Sequence, residues 1–185
     1  MTTLHLGKSI NPECFRGLVL IAVALCCFAL ASAPKAFGVS PAPDGGYAGN
    51  NTAEGTNALL GLTSGINNTA VGASALLKDT SGSYNVAVGS NALALNTSGN
   101  FNMAIGTEAL HNNTANANLA IGFRVLYFNT IGGDLTGVGA GALYQNTTGS
   151  FNTAVGAAAL NSNTTGANNT AVGRQSTPHE HHRQP

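Results

Sequence analysis

Tryptophan is absent from this 185-residue chain, charge is scarce, and cysteine is confined to one end. Seven basic and seven acidic residues make up 8% of the sequence. From Ser32 onward, five Lys or Arg stand against six Asp or Glu. That balance leaves no basic stripe for nucleic acid and no polybasic patch for anionic lipid. It is also unlike a disordered chain, which usually carries high net charge. All three cysteines (Cys14, Cys26, Cys27) precede Ser32, so disulfides, the common staple of small exported domains, are excluded from the rest. Stability has to come from another source.

The ends have their own signatures. Lys8 and Arg16 precede an unbroken apolar run from Leu18 to Ala31, and Ala29-Leu30-Ala31 offers a small-x-small cleavage site. Residues 1–31 read as a signal peptide, because the run is shorter than the ~20 residues of a membrane span. Residues 32–50, with Pro34, Pro41, Pro43, Gly45, Gly46 and Gly49, read as an extended linker. Residues 174–185 read as a disordered polar tail. Its His179, Glu180, His181 and His182 are a frayed terminus rather than a metal site.

Between these ends, at 51–173, one phrase returns eight times. It starts at Asn51, Asn68, Asn85, Asn102, Asn118, Leu135, Asn152 and Asn169, at steps of 17 residues with a single step of 16 after Asn102. A fixed short period marks an array that buries its core only by stacking unit on unit. Numbered from the leading Asn, position 3 is Ala, with Gly137 the exception. Position 4 is Val71, Val88, Ile105, Ile121, Val138, Val155 and Val172, with Glu54 in the first copy. Position 5 is always Gly: Gly55, Gly72, Gly89, Gly106, Gly122, Gly139, Gly156 and Gly173. Position 9 is Leu59, Leu76, Leu93, Leu110, Leu126, Leu143 and Leu160. Position 13 is always Thr, from Thr63 to Thr164. Position 15 is Gly except where Asn116 falls in the short unit, which suggests a left-handed backbone there.

A β-branched residue between Ala and Gly suits a short strand. No helical stripe persists for three turns, and helical repeats need longer units. The expected fold is an all-β, single-chain parallel β-solenoid of about seven to eight 17-residue coils. In it, position 4 (Val) and position 9 (Leu) form two inner ladders and position 1 (Asn) a third, whose side chains bond along the axis. The position-3 Ala residues then present a flat outward strip.

Catalytic chemistry is missing from the pattern. His111 is the one histidine within 51–173, and Glu54, Asp79, Glu108 and Asp134 fall at four different repeat positions. Stacking cannot pair them, and no activating His recurs beside the many hydroxyls. The expectation is no enzyme, no cofactor and no metal. Phe123, Tyr127, Phe128, Tyr144 and Phe151 cluster mildly, and Tyr84, Phe101 and Phe151 share one turn. They read as corner plugs before they read as a stripe for a sugar or a partner.

Asn-Thr-Ala-Val-Gly with Ala-Leu downstream, then Asn-Thr-Thr-Gly, resembles the head repeats of YadA-like trimeric autotransporter adhesins, with related repeats in phage tail-fibre-like proteins. The likeness covers residues 51–173. It implies a left-handed parallel β-roll, three-chain association, and a surface that binds extracellular matrix, glycan or a cell-surface target. The usual unit of that family is shorter and carries Ser-Val-Ala-Ile-Gly. No heptad stalk or anchor strands occur within 174–185, so no integral membrane anchor is expected in this chain. The functional expectation is a secreted or cell-surface adhesive or structural module, exported to the extracellular space or a bacterial cell surface and homotrimeric. The alternative is an ice- or crystal-binding solenoid using the position-13 Thr ladder, against which the varied position 14 (Ser64, Ala115, Ile131, Thr148) counts.

Overall fold

A computed structural model describes residues Tyr47–Ser176. The signal peptide, most of the linker and the end of the tail, with its histidines, lie outside the described residues. The described part is all-β. Eight three-residue strands follow one another: β1 (Thr52–Glu54), β2 (Thr69–Val71), β3 (Val86–Val88), β4 (Met103–Ile105), β5 (Leu119–Ile121), β6 (Thr136–Val138), β7 (Thr153–Val155) and β8 (Thr170–Val172). They form one parallel sheet in sequence order. The register pairs equal repeat positions, such as Ala70 with Ala87 and Val71 with Val88. It survives the short unit, where Met103 pairs with Leu119. The chain is a β-solenoid of seven complete coils, here numbered 1 to 7 from Asn51, with β8 opening an eighth.

Strands cover three residues per coil, yet coil-to-coil backbone bonds continue around the turn. Leu76 N–H donates to the Ala92 carbonyl at 3.0 Å, Lys78 to Ala94 at 3.0 Å and Thr80 to Thr97 at 2.9 Å. This is how a segment with no regular structure of its own satisfies its polar backbone. At the N-terminal end, Tyr47 bridges to Asn51 and packs on the core.

The core differs from the sequence expectation in one respect. Leu59, Leu76, Leu93, Leu110, Leu126, Leu143 and Leu160 do form a buried ladder. The second apolar ladder is the position-3 Ala column, not Val. Ala70, Ala87, Ala104, Ala120 and Ala154 are all fully buried. Val71, Val88, Ile105, Ile121 and Val155 stand outward at 36–38% exposure, with Val138 half-buried. Alternation places the two columns on opposite faces, and width decides which goes in. A 17-residue coil is thin, and Leu from position 9 already fills most of it. Only a methyl fits beneath.

The Leu ladder carries an unusual backbone. All seven residues have positive φ, from 49° at Leu160 to 54° at Leu126. A left-handed Leu costs roughly 1–2 kcal/mol. Full burial of its side chain returns about 1.5–3 kcal/mol, so packing holds the strain in place. Positions 7 and 17 are also left-handed, as at Asn91 (56°) and Tyr84 (60°).

The position-15 glycines need correction too. None of Gly65, Gly82, Gly99, Gly132, Gly149 and Gly166 has positive φ. They are small because coils touch there: a Cβ on Gly82 would lie 2.6 Å from the Gly99 carbonyl oxygen. Ala115, not Asn116, takes this place in coil 4. Asn102 Nδ2 donates to the Ala115 carbonyl at 2.8 Å, as Asn85 does to Gly99. The residue missing from coil 4 is therefore position 14. The position-5 glycines combine both demands, with φ of 114–135° and a Cβ on Gly72 that would meet the Gly89 carbonyl at 2.7 Å.

Candidate functional site

Two polar ladders fix the coils in register and so set what the surface displays. The position-1 Asn side chains are buried, as expected. Asn68 N–H donates to Asn51 Oδ1 at 2.8 Å, and Asn68 Nδ2 donates to the Gly82 carbonyl at 2.8 Å. The same pair of bonds recurs at Asn85. Leu135 interrupts this column. Its own N–H still reaches Asn118 Oδ1 at 3.0 Å, but it offers Asn152 no side-chain oxygen.

A second ladder runs up position 12 and was not anticipated. Asn129 Nδ2 reaches Asn113 Oδ1 at 2.8 Å, Asn146 reaches Asn129 at 2.9 Å, and Asn163 reaches Asn146 at 2.8 Å. Each also donates to a carbonyl in its own turn, as Asn146 does to Gly149 at 2.9 Å. The signal was available, since five of seven coils carry Asn at position 12. The shortened turn of coil 4 breaks this ladder and leaves Asn96 Oδ1 buried without a partner. Lower down, Asp79 occupies a position-12 site and is fully buried. Desolvation by burial lifts its pKa from the ordinary 3.8 to about 6, against the opposing bonds from Gly82 N–H and Asn96.

Three features face outward. The first is the sheet's outer face. The Val/Ile column stands beside a position-2 column of Thr69, Val86, Met103, Leu119, Thr136 and Thr153, apolar in the middle and Thr toward both ends. With strands ~4.8 Å apart, the seven interstrand steps from β1 to β8 make this face ~34 Å long. From β2 to β8 neither column holds a charged residue.

The second is an aromatic cluster on coils 4 to 6. His111 stacks on Tyr127 with centroids 5.0 Å apart, and Tyr127 on Tyr144 at 5.7 Å. Phe128 meets both tyrosines edge-on, at 4.8 and 5.1 Å. The Arg124 guanidinium lies over Phe123 at 5.0 Å and over Tyr127 at 5.6 Å. It also pairs with Glu108, and this hydrogen bond holds Arg124 above its ordinary pKa. The stacked rings spend their faces on one another. His111, Tyr127 and Tyr144 are half-buried, while Phe123 (52% exposed) and Phe128 (43%) face solvent. Elsewhere Tyr84 and Phe101 stack at 5.1 Å and 8°, both exposed. Phe151 holds the same repeat position but is separated from them by Ala117 and Asp134. These aromatics are surface features and not plugs.

The third is the position-13 Thr row. Thr80 Oγ1 donates to the Thr97 carbonyl at 2.8 Å, and Thr63, Thr114, Thr130 and Thr147 do the same one coil on. Their hydroxyl protons are committed along the axis.

Among the described residues, no three His, Cys, Asp or Glu come together as a metal site. No helix there is long and apolar enough to cross a membrane. No family model, no curated protein and no solved structure matches the chain.

Proposed function

We propose that this chain is an exported, non-catalytic repeat module, structural or adhesive, that works as a homotrimer on a cell surface or in the extracellular space. The observation that carries this reading is the outward face of the sheet. From β2 to β8 an uncharged Val/Ile column repeats at one fixed spacing. Two copies laid side by side in register meet with matching periods at every coil. Exposed apolar strips of this kind are otherwise an association hazard, and closed cyclic symmetry is the usual way to use one. Two columns ~7 Å apart on a ~34 Å face give only ~240 Å². A stable pair buries ~800 Å² per partner. The interface therefore includes the flanking position-6 residues, such as Ala73, Ser90 and Ala157. The aromatic cluster, with Arg124 at its centre and only Phe123 at the edge of that face, is the surface offered to an extracellular matrix, glycan or cell-surface target. Aromatic and Arg side chains dominate such contacts.

Since Ala87, Ala104 and Ala120 lie in the core, the interface test belongs on Val88, Ile105 and Ile121. Light scattering of the wild-type chain at micromolar concentration is expected to give three times the chain mass. The triple Glu variant is expected to give one chain mass with an unchanged circular dichroism spectrum. A monomeric wild type would sink the trimer. A folded wild type that binds nothing saturably across a panel of matrix proteins and glycans would remove adhesion and leave a spacer.

A further inference from the structure

Asp79 is the only fully buried ionisable side chain among the described residues. Its neighbours give it one good oxygen and one stranded one. Oδ1 accepts from Gly82 N–H at 2.8 Å and from Asn96 Nδ2 at 3.4 Å. Oδ2 is buried and has no partner. The other position-12 residues show what that atom stands in for. In Asn96, Asn129, Asn146 and Asn163 the second side-chain polar atom, beside Oδ1, is Nδ2, and it donates to the carbonyl three residues on, at 2.8–3.1 Å. In Asp79 the matching carbonyl is Gly82. An ionised Oδ2 turns lone pairs on that oxygen, while a protonated Oδ2 donates to it as an amide does.

Nothing nearby offsets the negative charge. In coil 1 the stacked neighbour is Leu62, and in coil 3 it is Asn96. Across the interior stand Asn68 and Asn85. Lys78 and Tyr84, the nearest titratable residues in sequence, are both exposed. No charged group contributes to the raised proton affinity, which comes from burial. Position 12 also has no hydrogen bond across the coil 1–coil 2 junction, because Leu62 offers none.

We propose that Asp79 is a proton-controlled latch on the N-terminal coil: a proton on Oδ2 closes the bond to the Gly82 carbonyl, and its loss opens coil 1 away from coil 2. Opening is the cheapest way to hydrate the carboxylate, because coil 1 is the first of the described coils and coil 2 is the one coil it has to leave. The sign follows from linkage. A group that binds its proton more tightly when folded adds stability that is full below its ordinary value of 3.8 and is lost as pH rises through about 6. The opened form exposes the edge of β2, which can then pair with another strand.

Hydrogen exchange of the full chain tests this, with rates corrected for the intrinsic pH dependence of exchange. Amides of residues 51–67 are expected to open about tenfold more at pH 8 than at pH 5, and those of coils 4–6 to be unchanged. Asp79→Asn, which restores the residue found in most coils, should remove the difference and protect coil 1 at both values. Equal protection of wild-type coil 1 at pH 5 and 8 would overturn the latch. So would an Asp79→Asn variant that keeps the wild-type pH response.

Discussion

Val125 and Gly137 are the places where the core departs from its Ala pattern, and they touch. A Cβ on Gly137 would lie 2.5 Å from Val125 Cγ1. Elsewhere the equivalent pair is Ala and Ala, as with Ala92 and Ala104, both fully buried. Val125 has thus taken the space that Gly137 gives up. Gly137→Ala alone forces two carbons more than 1 Å inside their ~3.5–4.0 Å optimum. Overpacking of that kind costs about 1–3 kcal/mol, offset by about 0.4–1 kcal/mol because Ala restricts the unfolded chain. Val125→Ala alone removes two buried methyl groups, about 1.6 kcal/mol of transfer energy plus a cavity term. The double variant rebuilds the Ala–Ala pair and is expected within about 1 kcal/mol of wild type, a favourable coupling of about 2 kcal/mol. Urea unfolding followed by circular dichroism reads all four proteins, provided the slope stays constant. Additivity within about 0.5 kcal/mol would refute the compensation.

Other consequences are as direct. Ala104→Glu buries an unpaired charge and should abolish cooperative unfolding, whereas Ile105→Glu, one residue on, should leave the circular dichroism spectrum intact. Leu110→Ala should cost about 2–5 kcal/mol in urea unfolding, because the strained backbone there is held by burial alone. Ala158, left-handed at φ 56°, should gain up to about 1 kcal/mol when replaced by Asn, which tolerates that region; a fall in melting temperature would count against backbone strain at position 7.

The coil, its period, the Leu ladder and the Asn column at position 1 were legible because each repeats in phase. The sidedness of the strands was misread. Alternation puts Ala and Val on opposite faces without saying which is inside, and hydrophobicity favours the larger residue. Glu54 at position 4 was the available clue, since an acid in the first coil belongs outside. The invariance of position 3, never larger than Ala, was another. Left-handed Leu had no precedent in residue preference, because tertiary packing overrides it. The aromatic cluster draws on positions 6, 10 and 11 of three coils, so no run of sequence showed it whole.

The two Asn ladders also determine how the rod would bear a load. Position 12 has no bond from coil 1 to 2 or from 3 to 4, and position 1 has none from Leu135 to coil 7. The gaps never coincide. At 3–4 the Asn102–Asn85 bond carries across, and at 6–7 the Asn163–Asn146 bond does. Within these two ladders no junction is left without a tie, yet only coils 2–3 and 4–6 are tied by both, while position-13 Thr bonds also cross junctions 1–2 and 6–7. Under tension along its axis, such a rod does not peel one coil at a time. It parts at the junctions that only one Asn ladder crosses, and in a force–extension trace coils 4–6 should release together as one step.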